Sequence, residues 1–220
     1  QAGASEEGRE LAAKSADVIF GASQNIEMAQ AFYADVKGRL ARYGRQPDDL
    51  KIMPGLSVTV AKTKAEAQAR ADELQELIHP DHGLAYLSRR LGHDVTGLDP
   101  DQPMPNLSAV DDVGTRSGQM LEMAQRKNWT LRQLYQHFAA TRGHMVLVGT
   151  PSMIVDAMQN WFENDACDGF NLIPPMFPDE FEAFVDMVVP ELQSRGLYRT
   201  AYEGSPLRDR LGLSVPTSQY

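Results

Sequence analysis

Residues 1–20 read QAGASEEGRELAAKSADVIF. The residue types follow the order of a strand end, a tight turn, a helix and the next strand. Gly3 and Ala4 are small enough for a ligand to approach the backbone closely. Ser5 is a favourable helix N-cap, because its hydroxyl accepts an N–H that the first turn leaves orphaned. From Glu6 to Ser15, Leu11, Ala12 and Ala13 supply an inward face and the Glu and Lys residues face water. Ala16 to Ala22 (ADVIFGA) is a short apolar run with polar flanks, the pattern of a buried parallel strand. A helix start that follows a strand also suits a phosphate, since its N–H groups and its dipole both favour negative charge. Glu6 and Glu7 suit a helix N-terminus, but they repel a phosphate unless they point away from it.

The alternation continues outward. The apolar spacing of Ile26, Ala29, Phe32, Val36 and Leu40 predicts a helix over Asn25–Tyr43, with Gly44 as its C-cap. Gln46–Asp49 is a turn. Leu50–Val60 is a strand region, with a bulge or bend expected at Pro54-Gly55 because proline cannot donate to a ladder. Thr63–Ile78 is a helix. Strand and helix in repeated alternation predict a parallel α/β architecture. From His79 to Gly149 the rhythm changes. Helices are expected over Ala85–Leu91, Asp111–Lys127 and Leu131–Thr141, the last opened by a Thr130/Gln133 capping box, with a proline-rich loop at Asp99–Asn106. The repeat then resumes with a helix capped by Thr150, with Pro151 at its first position. Its expected stripe is Met153, Ile154, Ala157, Met158 and Trp161. A last strand at Asp168–Pro174 precedes a helix from Pro178 or Asp179 to Gly196 that faces Phe181, Phe184, Val185 and Val188 inward. The segments are therefore 1–78, 79–149 (a helical insertion), 150–196 and a tail, 197–220.

Bulk properties bound the function. A chain of 220 residues buries one substantial core. A net charge of −9 argues against nucleic-acid and anionic-membrane partners, which need a basic patch. No apolar run approaches the roughly 18 residues of a spanning helix. The single Cys167 has no internal disulfide partner, which fits the cytoplasm. The chain opens at Gln1 in what reads as the last turn of a strand, so an N-terminal portion is expected ahead of it.

Several stretches together carry a resemblance: QAGASEEGRELAAKSADVIF, HPDHGLAYLSRRLGHDVTGLD, NWTLRQLYQHFAATRGH, VGTPSMIVDAMQNWF, ACDGFNLIPP and YRTAYEGSPLRDRLGL. They resemble the luciferase-like flavin-dependent monooxygenases, in the branch that contains nitrilotriacetate monooxygenase component A and dibenzothiophene-sulfone monooxygenase. The resemblance implies an α/β fold, the C-terminal half (strands 5 to 8) of a (β/α)8 TIM barrel with a helical insertion. A complete barrel needs about 250 residues. The missing N-terminal half is therefore an expected partner. The resemblance also implies reduced FMN delivered by a separate flavin reductase, and O2 and a small organic substrate as reactants. A homo-oligomer is expected. The resemblance places the FMN phosphate at Ala4 and Ser5, where many relatives carry two adjacent serines. The family's catalytic residues lie mostly in the absent strands, so none is named. The alternatives are a deazaflavin-dependent oxidoreductase of the same superfamily and a non-catalytic flavin-binding half-barrel.

Barrels bind ligands at the C-terminal ends of their strands. Those positions are Gly3–Ser5, Gly21–Asn25, Ser57–Thr59 and Asn171–Pro175. For Ser23, Gln24 and Asn25, loop capping competes with a site role. His79 and His82 suggest a metal pair, but zinc needs three or four ligands and no Cys or carboxylate framework accompanies them. His93 and His144 fall in the insertion and could line a lid. Arg89, Arg90 and Arg142 could attract an anion, although a solvated face is the ordinary role of such residues. Met153 and Met158 at helical spacing read as core.

Overall fold

The computed structural model describes residues 1–103, 116–141, 143–202 and 206–215. The chain divides into two compact units, residues 1–69 with 143–220, and residues 70–142.

The first unit is a parallel sheet covered by helices. Its strands are β1 (Val18–Gly21), β2 (Lys51–Val60), β3 (Met145–Gly149) and β4 (Asn171–Leu172). β2 is the centre: β1 pairs with Lys51–Pro54, β3 with Leu56–Val60 and β4 with Gly55–Leu56, all in parallel. The predicted α1 forms over Glu6–Ser15, and α2 covers Ile26–Arg39, with a 3-10 turn at Leu40–Tyr43 and Gly44 closing it at φ 67°. Ala12 and Ala13 of α1, Ile19, Val36, Leu40, Leu50 and Ile52 form one apolar cluster. Leu11, expected to face inward, is 56% exposed, because the short Ala12-Ala13 pair makes the close contact instead.

A second cluster joins Leu56, Val58 and Val60 of β2 to Met145 and to Ile154, Val155, Met158 and Trp161 of the helix after β3. The even-numbered residues of β2 thus face the helices, and alternation turns Met53, Gly55, Ser57 and Thr59 to the other face. Two expectations change here. Pro54-Gly55 does not interrupt the strand. It marks the point where β2 exchanges β1 for β3 and β4 as partners. Ser57–Thr59 lies in the C-terminal part of β2, as expected, but within the strand rather than in a loop, with Ser57 and Thr59 buried opposite Val146 and Val148.

Met145–Gly149, inside the 79–149 stretch expected to be helical, is the strand β3. Its apolar run MVLVG, with β-branched Val146 and Val148, carries the signal, and its pairing places it in the first unit. The expected last strand shortens to Asn171–Leu172. Even so, Asp168 N donates to Ile52 O and Ile173 N to Leu56 O, both at 2.8 Å, so the whole stretch tracks β2.

The second unit contains α4 (Pro80–Leu91), α5 (Arg116–Lys127) and α6 (Leu131–Thr141), and α3 (Lys64–Glu76) contains the boundary between the units. Its core joins Leu84, Leu87 and Leu91 to Met120, Leu121, Ala124, Leu131, Leu134 and Tyr135. The capping box is present: Gln133 N donates to Thr130 Oγ1 and Thr130 N to Gln133 Oε1. Asp101 takes a two-pronged grip from Arg132, at 2.7 and 3.0 Å. Residues 111–115 of the expected Asp111–Lys127 helix and part of the proline-rich loop lie outside the described residues.

α7 (Pro151–Glu163) opens as expected, with Thr150 Oγ1 accepting from Met153 N. The chain ends with α8 (Asp179–Ala183), a π-helical segment (Phe184–Val188), α9 (Val189–Ser194) and α10 (Leu207–Arg210). The inward face of this last region matches expectation at Phe184 and Val188 and differs elsewhere. Phe181 and Val185 are 40% and 42% exposed, while Glu180, Phe184, Val188 and Leu192 are buried. A π segment has more residues per turn, so the buried positions recur every fourth residue rather than at a 3.6 period.

Candidate functional site

The N-terminal stretch is tied to the sheet before it turns. Gln1 donates its amino group to Val18 O and accepts from Phe20 N, both at 2.9 Å, the pattern of a parallel bridge. The Gly3–Ser5 turn thus leaves the sheet beside the C-terminal end of β1. Ser5 caps α1, its Oγ accepting from Gly8 N at 3.1 Å. A hydroxyl that accepts in this way keeps its own proton to donate. The N–H groups of Glu6 and Glu7 precede the first intrahelical bond, which runs from Arg9 N to Ser5 O. The turn offers a hydroxyl, early amides and a dipole end, a set that fits a phosphate group.

The two glutamates next to it do not behave alike. Glu6 is drawn to Arg39, with Nη1 2.6 Å and Nη2 3.0 Å from its two carboxylate oxygens. Arg39 also pairs with Glu10 and Asp35, and Tyr43 donates to Glu10. Hydrogen bonding to Arg39 holds the Glu6 and Asp35 carboxyls below their ordinary values. The Tyr43 hydroxyl, followed by Arg39, does the same for Glu10. Glu7 is exposed.

At the neighbouring strand end Ser23 is buried, Gln24 is exposed, and Asn25 caps α2 by accepting from Met28 N at 2.9 Å. The capping role therefore accounts for Asn25. Asn171 donates to Met53 O at 2.9 Å and is a cross-strand tie.

His144, which falls in the expected insertion, stands just ahead of β3 and packs against β1 and β2. His144 stacks flat on Phe20, with ring centroids 5.1 Å apart and 11° between planes. A Cβ at Gly55 would stand 2.5 Å from His144 Nδ1 and 2.6 Å from Ile173 Cδ1. A glycine inside a strand is the available signal, since it marks a close approach by another group. The other histidines are elsewhere. His79 Nδ1 accepts from Asp81 N at the start of α4, and His82 is 6.0 Å away, ring to ring. Among the described residues no group of three or more His, Cys, Asp or Glu could hold a metal. His93 and Arg89 are exposed, Arg90 lies over the Tyr86 ring, and Arg142 falls outside the described residues. Cys167 is buried, and burial pushes its thiol up to about 12, so it is a poor nucleophile.

A shallow groove of about 550 Å³ runs along the outer flank of α1, lined by Glu6, Glu7, Glu10, Leu11, Lys14, Arg42 and Tyr43. Three carboxylates in its wall make it a poor place for a phosphate.

The fold and site together define a parallel α/β protein with a serine-capped helix start beside a strand end. Residues 1–167 match the Luciferase-like monooxygenase family, and the chain belongs to that family. It is 46% identical over 223 residues to the N-acetyl-S-(2-succino)cysteine monooxygenase of Bacillus subtilis (strain 168), covering 100% of this chain and 51% of that protein. It is 46% identical over 218 residues to nitrilotriacetate monooxygenase component A of Aminobacter aminovorans, covering 98% and 48%. The crystal structure of DmoA from Hyphomicrobium sulfonivorans superposes with a TM-score of 0.79 at 31% identity, covering 96% of this chain and 44% of that one. The chain thus spans about half the length of the curated relatives it matches. Among the described residues no helix is long and apolar enough to cross a membrane.

Proposed function

We propose that this chain is the C-terminal half, strands 5 to 8, of the (β/α)8 barrel of a two-component, FMNH2-dependent monooxygenase, and that Ala4 and Ser5 hold the FMN phosphate. The observation that carries this reading is the Ser5 cap. It stands beside a strand end in a chain whose relatives at 46% identity are named monooxygenases. When bound, reduced FMN supplies the electrons that activate O2 for transfer of one oxygen atom to a small organic substrate. The chain's own residues bind and orient. The Ser5 hydroxyl and the first amides of α1 take the phosphate, while Arg39 keeps the Glu6 charge turned away. Residues 79–142, without the β3 strand that follows them, act as a lid that excludes water, which would otherwise favour release of hydrogen peroxide.

A flavin reductase supplies FMNH2. The N-terminal half of the barrel covers the sheet face that carries Phe20, which is 40% exposed in this chain. The working protein is a cytoplasmic homo-oligomer.

The test uses the intact protein with NADH, a flavin reductase and FMN. N-acetyl-S-(2-succino)cysteine and nitrilotriacetate are offered as substrates, and oxygenated product is followed by mass spectrometry. Absence of both flavin binding and product, with these acids and with a wider thioether and amine panel, would sink the reading. Ser5→Asp sharpens it. Aspartate caps a helix about as well as serine, so α1 persists. Its charge opposes a phosphate, so FMN affinity should fall more than about tenfold while riboflavin affinity holds. Equal loss of both flavins would remove Ser5 from the phosphate site. Shortening the 79–142 segment should raise uncoupled peroxide, and unchanged coupling would end the lid role.

A further inference from the structure

Arg9 lies one helical turn beyond Ser5, yet its guanidinium points back to the turn. Nε donates to Ala4 O at 2.9 Å and Nη1 to Asp35 Oδ2 at 2.8 Å, and the group lies 5.4 Å from the centre of the Phe32 ring. A trans peptide is planar, with its C=O and N–H directed oppositely. Holding Ala4 O against Arg9 therefore directs Ser5 N–H away from Arg9, out of the turn. The hold is fixed from α2, because both Asp35 and Phe32 belong to that helix. Asp35 also offsets the Arg9 charge locally, so Arg9 acts on the turn through geometry more than through long-range attraction.

We propose that Arg9 is a positioning residue for phosphate recognition at the Gly3–Ser5 turn. It acts through the Ala4 carbonyl and is braced by Asp35 and Phe32, and it does not touch the ligand. This rests on the reading that the turn takes the FMN phosphate, and it adds the device that presets the turn before the ligand arrives. Preorganised donors lose less freedom on binding, which is the source of the gain in affinity.

The experiment compares FMN with riboflavin, which lacks the phosphate, on the intact wild-type, Arg9→Met and Arg9→Lys proteins at low and high salt. Methionine keeps an apolar stem for Phe32 and removes both donors. Arg9→Met should lower the preference for FMN over riboflavin about tenfold. The loss should persist at high salt, where an unscreened charge effect would fade. Lysine can reach Ala4 O or Asp35 but lacks the fork to hold both, so Arg9→Lys should fall between the two. Equal weakening of both flavins would show a merely structural role and overturn the proposal. A preference lost only at low salt would show simple charge attraction, and no change would show that Arg9 is irrelevant. Either result overturns it too. If the wild type itself does not prefer FMN to riboflavin, the site reading fails and this inference falls with it. Should Arg9→Met fail to fold, the Arg9→Lys ratio decides alone: a wild-type preference at both salts would overturn the positioning role.

Discussion

Two helix-interior glycines separate propensity from packing. Gly38 in α2 has nothing within 4 Å of where a Cβ would stand. Gly83 in α4 would place that Cβ 2.5–2.6 Å from three ring carbons of Tyr135, which is fully buried. Glycine costs a helix roughly 0.5–1 kcal/mol relative to alanine. Gly38→Ala should therefore stabilise the protein by about that amount. Gly83→Ala should destabilise it by about 2 kcal/mol, because the ring cannot retreat from a packed core. Denaturant midpoints of the two variants check the opposite signs, and equal signs would show that the Gly83–Tyr135 contact does not control packing. Residue chemistry also decided how much of the site was legible. Ser5 was readable because capping is local. His144 was not, because its neighbours Phe20 and Gly55 are far away in sequence.

The elements are held at their ends. Arg45 reaches four carbonyls, those of Ala12, Ala13 and Ala16 at the end of α1 and that of Asp49. A cation over exposed helix carbonyls satisfies them and opposes the dipole. Arg45→Met should cost about 2 kcal/mol, since several charge-assisted bonds go at once. A loss within about 0.5 kcal/mol, the range of ordinary surface changes, would show that water replaces the guanidinium without penalty. At the start of the last strand, Asp168 plays a similar part. It accepts from Ile52 N at 2.7 Å and from Tyr33 Oη at 2.9 Å, and pairs with Lys37. This staple is at the N-terminal end of the strands, where residues serve stability rather than chemistry. Boundaries with local caps matched expectation, as in α1 and α6. The inward face of the last helical region matched only at Phe184 and Val188, because the π segment that resets it leaves no clear mark in the sequence.

At the scale of the molecule, acid should weaken the fold in two stages. Burial, with Lys127 nearby, lowers the pKa of His137, which packs 4.9 Å from Trp129. The folded state then resists a proton that the unfolded state accepts. Its contribution is full above the unfolded value of about 6.5 and declines as pH falls toward the lowered one. His137→Gln should flatten this part of a stability–pH curve, and an unchanged curve would remove His137 from it. The second stage belongs to carboxylates. Hydrogen bonding from Arg208 holds Asp17 below its ordinary value, and Arg132 does the same for Asp101. Such groups stabilise above about pH 4 and lose that contribution as pH falls through their depressed values. Thermal melting between pH 7 and pH 3 should show the fall, and Arg208→Gln should reduce its lower part.

The sequence by itself determined the alternating α/β order, the capped helices and the serine turn, and its motifs placed the chain in its family. Those features depend on nearest neighbours, on apolar spacing and on recurring residue patterns, all of which are written along the chain. Only the tertiary structure decided that Met145–Gly149 joins the sheet, that Arg39 draws Glu6 aside and that Asp35 and Phe32 brace Arg9. Strand partners and ion pairs between separate helices form across tens of residues of intervening chain, and the packing that brings them together selects them.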